Sequence, residues 1–219
     1  MKDGFIKVAA ATPKIKVADP AYNTEEILKI IDETEKNGAS ILVFSELTIS
    51  GYTCGDLFLQ QPLLTECKNQ LVRIVKATED KSMLVVVGCP IVIKQKLYNC
   101  AVVISDGSIL GIVPKTHLPN YSEFYEARQF NEWHNENNEI EINGILYPFG
   151  TKLLFSNLYL RNLKVACEIC EDLWAAKTPS TNHALAGANI IVNLSASNEL
   201  FGKDKIRKIL VQSTSSRLA

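Results

Sequence analysis

Two thiols stand three residues apart in the stretch V-A-C-E-I-C-E-D-L-W, Val165 to Trp174, and a glutamate follows each of them. Cysteines at this spacing support three chemistries: a metal clip, a redox pair, or a single nucleophile with a silent neighbour. A structural zinc site needs four ligands, commonly from a second Cys or His pair. Here Cys54, Cys67, Cys89 and Cys100 are isolated, and His117, His134 and His183 lie far apart in the sequence. A redox pair opens a helix after a strand, and Lys164-Val165-Ala166 supplies the strand. Glu168 between the sulfurs and Glu171 beyond them oppose thiolate formation, however. As small buried hydrophobes at a strand end, both cysteines are also unremarkable, and that reading suits Cys167. Cys170 falls instead at the bend from strand to helix, where unpaired backbone N–H groups gather. A thiol there can attack a carbonyl while the N–H of Glu171 receives the oxyanion.

Such a nucleophile needs a base and a positive charge. Phe44-Ser45-Glu46-Leu47 places a carboxylate at the end of an apolar strand, and Val113-Pro114-Lys115 ends another with a lysine. Alone, Glu46 reads as a helix cap or loop charge and Lys115 as a solvated cation. Together with Cys170 they share one position, the end of an apolar strand, where open α/β sheets bind ligands.

The elements that must position these groups alternate between strand and helix patterns. Phe5–Ala11 reads as a strand; Asn23-Thr24-Glu25-Glu26 offers a capping box with Asn23 as N-cap. Ile27, Leu28, Ile30 and Ile31 form the apolar face of the helix that follows, and Asn37-Gly38 ends it. Ile41–Phe44 is a short buried strand. A helical region runs from Leu57 to Lys76, with Pro62 as a start or a kink. Leu84–Ile93 and Asn99–Ile104 form a hairpin across Lys94-Gln95-Lys96, and Ser105-Asp106-Gly107-Ser108 turns into Ile109–Val113. Thr116 to Asn143 is polar and weakly periodic, a long surface segment of the kind that carries function. Lys152–Phe155, Leu163–Ala166 and Ile190–Leu194 resume the strand pattern, Ala184–Ala188 is helical, and a last helix starts near Asp204. The pattern predicts an α/β layered domain with mixed sheets. The last helix, with Ile206, Ile209, Leu210 and Gln212, meets no Gly, Asn or Pro to close it, so a longer fold is expected beyond Ala219.

At 219 residues and 47% hydrophobic, the chain can bury one large core. A formal net charge of −1, with no basic stripe, gives no reason to expect nucleic acid or an anionic membrane as partner. No apolar run approaches the ~20 residues of a membrane span, and lysines interrupt the first apolar stretch, so no secretory signal is expected. Six cysteines without an export signal are expected to be reduced thiols in the cytoplasm.

The blocks F-S-E-L-T-I-S-G-Y-T-C-G-D-L-F (44–58), P-K-T-H-L-P-N-Y-S-E-F-Y-E-A-R-Q-F (114–130), C-E-I-C-E-D-L-W (167–174) and N-L-S-A-S-N-E (193–199) resemble the nitrilase superfamily. In particular they resemble the N-terminal glutaminase domain of bacterial glutamine-dependent NAD(+) synthetases. The likeness runs through the whole chain in the family's order, and the first two blocks are more specific than the triad. It implies a nitrilase-type αββα sandwich that packs into homo-oligomers, with residues 1–219 as one domain incomplete at its C-terminal end. It also implies Glu46 as general base, Lys115 as electrostatic member and Cys170 as nucleophile. Tyr121, Ser197 and Lys203 fall where such domains hold glutamine, with Glu171 beside the nucleophile. Where the family can carry arginine, Lys203 keeps the charge but loses the bidentate fork. Glu126 matches a second glutamate bracing the lysine, and Tyr52 lies in the first specific block. The glutaminase reaction is expected to need no cofactor or metal; ATP and Mg belong to a synthetase domain absent from this sequence. A free-standing nitrilase-type amidase for another small amide, or a non-catalytic binding domain of the same fold, are the alternatives.

Overall fold

The computed structural model describes residues 5–158, 160 and 162–218. In chain order it contains β1 (Val8–Ala11), α1 (Pro20–Lys36), β2 (Ile41–Phe44), α2 (Gln61–Lys76), β3 (Leu84–Ile93), β4 (Lys96–Ser105) and β5 (Ser108–Pro114). There follow β6 (Asn138–Ile142), β7 (Ile145–Phe149), β8 (Phe155–Ser156), β9 (Lys164–Ile169), α3 (Pro179–Leu185), β10 (Ile190–Leu194) and α4 (Lys203–Leu218). Short 3-10 turns occupy Gly55–Leu59, Glu126–Arg128 and Cys170–Leu173.

The strands form two mixed sheets. The larger runs β1-β2-β3-β4-β5-β7-β6 and the smaller β10-β9-β8. In the larger, β1, β2 and β3 are parallel, β3, β4 and β5 are antiparallel, and β7 pairs parallel to β5 and antiparallel to β6. The period of two along a strand sends alternate side chains to opposite faces, and here both faces are buried. Val85, Val87, Cys89 and Ile91 of β3 pack with Ile27 and Ile31 of α1 and Leu63, Cys67, Leu71 and Ile74 of α2. Val86, with Ala101, Val103 and Val113, faces Val165, Cys167, Ile169, Val192 and Leu194 of the smaller sheet. Each such aliphatic side chain contributes ~1.5–3 kcal/mol when fully buried. On the outer face of β9, Glu168 accepts the N–H of Ser180 from α3. The layers are therefore helix, sheet, sheet, helix, the αββα arrangement that the resemblance implies.

Several elements differ from expectation. α1 begins at Pro20, and Asp19 caps it by accepting the Tyr22 N–H at 3.0 Å. Asn23 is not the cap: it is fully buried in the first turn, where its carboxamide accepts from Lys16 N and donates to Lys16 O and Ile49 O. Pro62 marks the start of α2, and the preceding residues 55–59 wind as a separate 3-10 turn. The segment 116–143 is not wholly surface: Glu126, Phe130 and Trp133 are buried, and its end forms β6. The β6–β7 hairpin turns at Asn143-Gly144, both at positive φ (53° and 81°), the geometry an Asn-Gly pair favours. Lys94 and Gln95 adopt the same left-handed turn between β3 and β4. The strand expected over Lys152–Phe155 is Phe155–Ser156, the one expected over Leu163–Ala166 runs on as Lys164–Ile169, and the helix expected over Ala184–Ala188 is α3, Pro179–Leu185. α4 is present and buries none of its described residues, and Ala219 lies outside those residues.

Candidate active site

Glu46 follows β2 in a turn that rides over β3. Leu47 takes φ 50°, Gly51 N bonds Leu47 O at 2.8 Å, and Ile49 N reaches down to Gly88 O at 3.2 Å. Gly88 is required beneath it, because a Cβ there would stand 2.2 Å from Leu47 N. Lys115 follows β5 and extends the β4–β5 ladder by one bond, its N–H on Asn99 O at 2.8 Å. The ladder thus fixes the lysine while the turn fixes the glutamate.

The two meet in a buried pocket. Lys115 Nζ donates to Glu46 Oε1 at 2.7 Å and to Glu126 Oε1 and Oε2 at 2.7 and 2.9 Å. All three side chains are buried, and three acceptors use the three protons of the ammonium. Tyr52 donates to Glu126 Oε1 at 2.6 Å, and Asn99 Nδ2 donates to Glu46 Oε1 at 2.7 Å. Burial alone would drive the lysine's pKa down; the carboxylates of Glu46 and Glu126 outweigh it and hold the pKa above its ordinary value. Burial raises Glu126, which Lys115 pulls back down and Glu46 pushes further up.

Cys170 begins the 3-10 turn after β9 with φ 45°. That region is sparsely populated by non-glycine residues, at a cost of order 1–3 kcal/mol, and such strain concentrates at functional positions. The parallel register pairs Ile169 with Leu194, so Ser195 is the next residue beside the thiol. Ser195 Oγ donates to Cys170 Sγ at 3.4 Å, and the N–H of Ala196 donates to Glu46 Oε2 at 3.0 Å. Adjacent residues therefore hold the thiol and the carboxylate, with Oε2 the oxygen of Glu46 that is free of the lysine. Burial, with Glu46 adding to it and Lys115 opposing, pushes the Cys170 thiol up to about 12. The thiol is protonated at neutral pH and must lose its proton as it reacts. Cys167, fully buried between the sheets, is held higher by burial and Glu168. All six cysteines are free and buried.

The remaining predicted residues gather at the rim. Tyr121 Oη donates to Glu171 Oε2 at 2.9 Å. Lys203, at the start of α4, donates to Asn198 Oδ1, and its ammonium lies 5.3 Å from the centre of the Trp174 ring. Asn198 in turn donates to Glu123, close in sequence to Tyr121. Ser197 joins through its backbone, the N–H on Ser195 Oγ at 3.3 Å. Tyr52 and Glu126 also form part of the wall of a cavity of about 130 Å³ with Phe58, Phe124, Tyr125 and Phe130. Sequence reasoning missed Asn99, Ser195 and Asp172. Asn99 was visible as the lone amide in the apolar run 97–104, and the other two lie inside quoted motifs; their partners are distant in sequence. Among the described residues no group of three or more His, Cys, Asp or Glu is arranged to hold a metal ion. No helix among them is long and apolar enough to cross a membrane.

A sandwich of two mixed sheets between helices, with a buried glutamate–lysine pair beside a strained cysteine turn, defines a class of hydrolase. The chain belongs to the carbon-nitrogen hydrolase family, whose model matches residues 7–210. Over 214 residues it is 41% identical to the glutamine-dependent NAD(+) synthetase of Mycobacterium tuberculosis (strain ATCC 25618 / H37Rv), covering 98% of this chain and 32% of that protein. The crystal structure of a glutamine-dependent NAD(+) synthetase from Cytophaga hutchinsonii superposes with a TM-score of 0.86 at 31% identity, over 97% of this chain and 34% of that one. An amidase from Nesterenkonia sp. shares the fold, with a TM-score of 0.73 at 16% identity, over 98% of this chain and 73% of that one. The chain thus spans about a third of the length of the NAD(+) synthetases it matches.

Proposed function

We propose that residues 1–219 are the glutaminase part of a longer protein, releasing ammonia from L-glutamine. The ammonia would feed an ATP-dependent synthetase domain that makes NAD(+) from nicotinic acid adenine dinucleotide. One observation carries the amide-hydrolysis reading: the unbroken chain of contacts from Cys170 through Ser195 and Ala196 to Glu46, Lys115 and Glu126. The similarity to NAD(+) synthetases supports glutamine as the amide.

In this reading Glu46 Oε2 takes the thiol proton as Cys170 Sγ attacks the side-chain amide carbon. The oxyanion that forms is met by the Glu171 N–H and by Lys115, which gives up one of its two bonds to Glu126 to reach it. One such donor is worth ~3–4 kcal/mol in comparable acyl-transfer sites. Glu46 returns its proton to the departing nitrogen, ammonia leaves, and a thioester to Cys170 remains. Water, deprotonated by Glu46, then cleaves the thioester; glutamate departs and the thiol is restored. At the rim, Lys203 supplies the charge for the substrate α-carboxylate, Glu171 for its α-ammonium, and Tyr121 and Ser197 line the approach. Assembly into a homo-oligomer and a cytoplasmic site of action belong to the same reading.

The test uses the full-length protein. Cys170→Ala should abolish ammonia release from glutamine while NAD(+) formation with added ammonia survives. Residual glutamine hydrolysis by that variant, or another small amide outcompeting glutamine in kcat/KM, refutes the nucleophile or the substrate respectively.

A further inference from the structure

Asp172 is a buried charged group with no part in the chemistry above. It is 1% exposed, and its carboxylate accepts three backbone N–H groups. His117 N donates to Oδ1 at 2.8 Å, Thr116 N to the same oxygen at 3.1 Å, and Ile169 N to Oδ2 at 2.9 Å. These donors come from different sheets. Thr116 and His117 directly follow Lys115 at the end of β5 in the larger sheet, while Ile169 ends β9 in the smaller and directly precedes Cys170.

The two sheets otherwise face each other through aliphatic side chains. Apolar packing is non-directional, so it sets the spacing of layers better than the alignment of one atom with another. A reacting constellation must be held to within ~0.5 Å. Lys115 and Cys170 sit on opposite sides of that seam, and directional bonds join the two sides near the site, with Tyr121 to Glu171 and Asn198 to Glu123 at its rim. Ala196 N to Glu46 is one; the bonds of Asp172 to Thr116 and His117 are others. Glu168, also buried, serves a different purpose, since it bonds Asn193 on its own sheet and Ser180 on α3.

We infer that Asp172 is a positioning residue that pins the Lys115 end of β5 to the Cys170 turn, setting the reach of the ammonium to the thiol and to the oxyanion formed beside it. This rests on the reading of Cys170 and Lys115 given above. The residue type follows from the geometry. An ionised carboxylate has only acceptors and can serve N–H groups on two sides at once. Asparagine has one carbonyl oxygen and would turn an NH₂ toward one of the donors. Glutamate is longer by a methylene, which would push the two strand ends apart.

Site-resolved alkylation of the full-length protein by iodoacetamide at pH 8, read by mass spectrometry, tests this without any substrate. Lys115 favours the Cys170 thiolate, and alkylation follows the thiolate fraction. If Asp172 holds the lysine in place, D172N and D172E should each alkylate Cys170 at least about threefold more slowly. Loss of a negative charge without displacement would instead make D172N faster, because the thiolate is then less repelled. The other five cysteines, all buried, report on folding and should stay as unreactive as in the wild type. A folded variant that alkylates Cys170 at the wild-type rate or faster overturns the assignment. So does failure of both variants to fold, which would make Asp172 a residue of the fold alone. With glutamine, kcat should fall about tenfold or more while KM stays within about threefold, a loss confined to the reacting geometry. If the wild type itself releases no ammonia from glutamine, the substrate reading fails, and the alkylation ratio still decides the role of Asp172.

Discussion

Gly88→Ala is the smallest change that should disable the site without touching a charged group. A methyl at position 88 would lie 2.2 Å from Leu47 N, 2.7 Å from Ser45 O and 2.8 Å from the carbonyl carbon of Glu46. All three are backbone atoms, so no side chain can rotate out of the way. Ordinary van der Waals contact begins near 3.4 Å, so the Glu46 turn must rise by about 1 Å, the difference from 2.2 Å. Glu46 would then leave the ladder-held Lys115, now 2.7 Å away, and the Ala196 N–H. A misplacement of ~1 Å in a reacting group costs on the order of 10²-fold in rate. Overpacking of this kind costs ~1–3 kcal/mol of stability, partly offset by the ~0.4–1 kcal/mol that alanine contributes through the unfolded chain. Gly111→Ala is the control. Its methyl would meet Leu153 Cδ1 and Phe155 Cε1 at 3.0 Å, side-chain atoms between the sheets, so it should lower the Tm and spare the rate. The assay is ammonia release from glutamine by the full-length protein, with Tm measured on the same samples. A Gly88→Ala protein with kcat within about threefold of wild type would refute the close-approach argument.

Other changes separate the roles of neighbouring groups. Cys167→Ala should keep most glutaminase activity, because its thiol is buried between the sheets; equal loss from Cys167→Ala and Cys170→Ala would revive a paired role. Lys115→Met leaves Glu46 and Glu126 facing each other in a buried pocket, a loss of ~3–5 kcal/mol. Its Tm should fall more steeply than wild type from pH 5 to 8, since Glu126, already raised by burial, loses the ammonium that pulls it down. Wild-type stability should itself decline over part of that range. Burial lifts Asp172 from 3.8 to about 7, against the pull of the Ile169 and His117 N–H groups. The folded state therefore holds a proton that the unfolded chain has released between about pH 4 and 7. This contribution is full below the lower value and lost as pH rises through the upper one. Burial shifts Glu126 and Glu168 in the same direction. Melting curves from pH 4 to 8 should show the decline, flattened in D172N; a wild-type Tm that climbs steadily to pH 8 would contradict it.

How much of this was legible in the sequence depends on how local each signal is. The hairpin at Lys94-Gln95, the buried runs of β3 and β4 and the ends of β2 and β5 all follow from short patterns, whereas β9 runs three residues past its expected end at Ala166. Glu46, Lys115 and Cys170 could be nominated because each follows an apolar strand. Asn23 was misread as a cap because its side chain and charge pattern fit one, while its real partners, Lys16 and Ile49, are set by the packing of a loop. The β6–β7 hairpin carried a local signal, Asn143-Gly144, masked by the polar stretch before it.

The order of strands, the period of burial and the chemistry available at each strand end were written in the chain itself, since propensity and patterning act over a few residues. Which of those ends meet was not. That Ala196 and Ser195 join base to thiol, and that Asp172 bridges two sheets, came only from tertiary structure. Apart from the Asp172 bond to Ile169, those contacts link residues 25 to 150 positions apart, and their energies depend on burial, which no local pattern reports. Chain connectivity makes the elements, but exclusion of water around their assembled ends turns an ordinary glutamate, lysine and cysteine into a single coupled site.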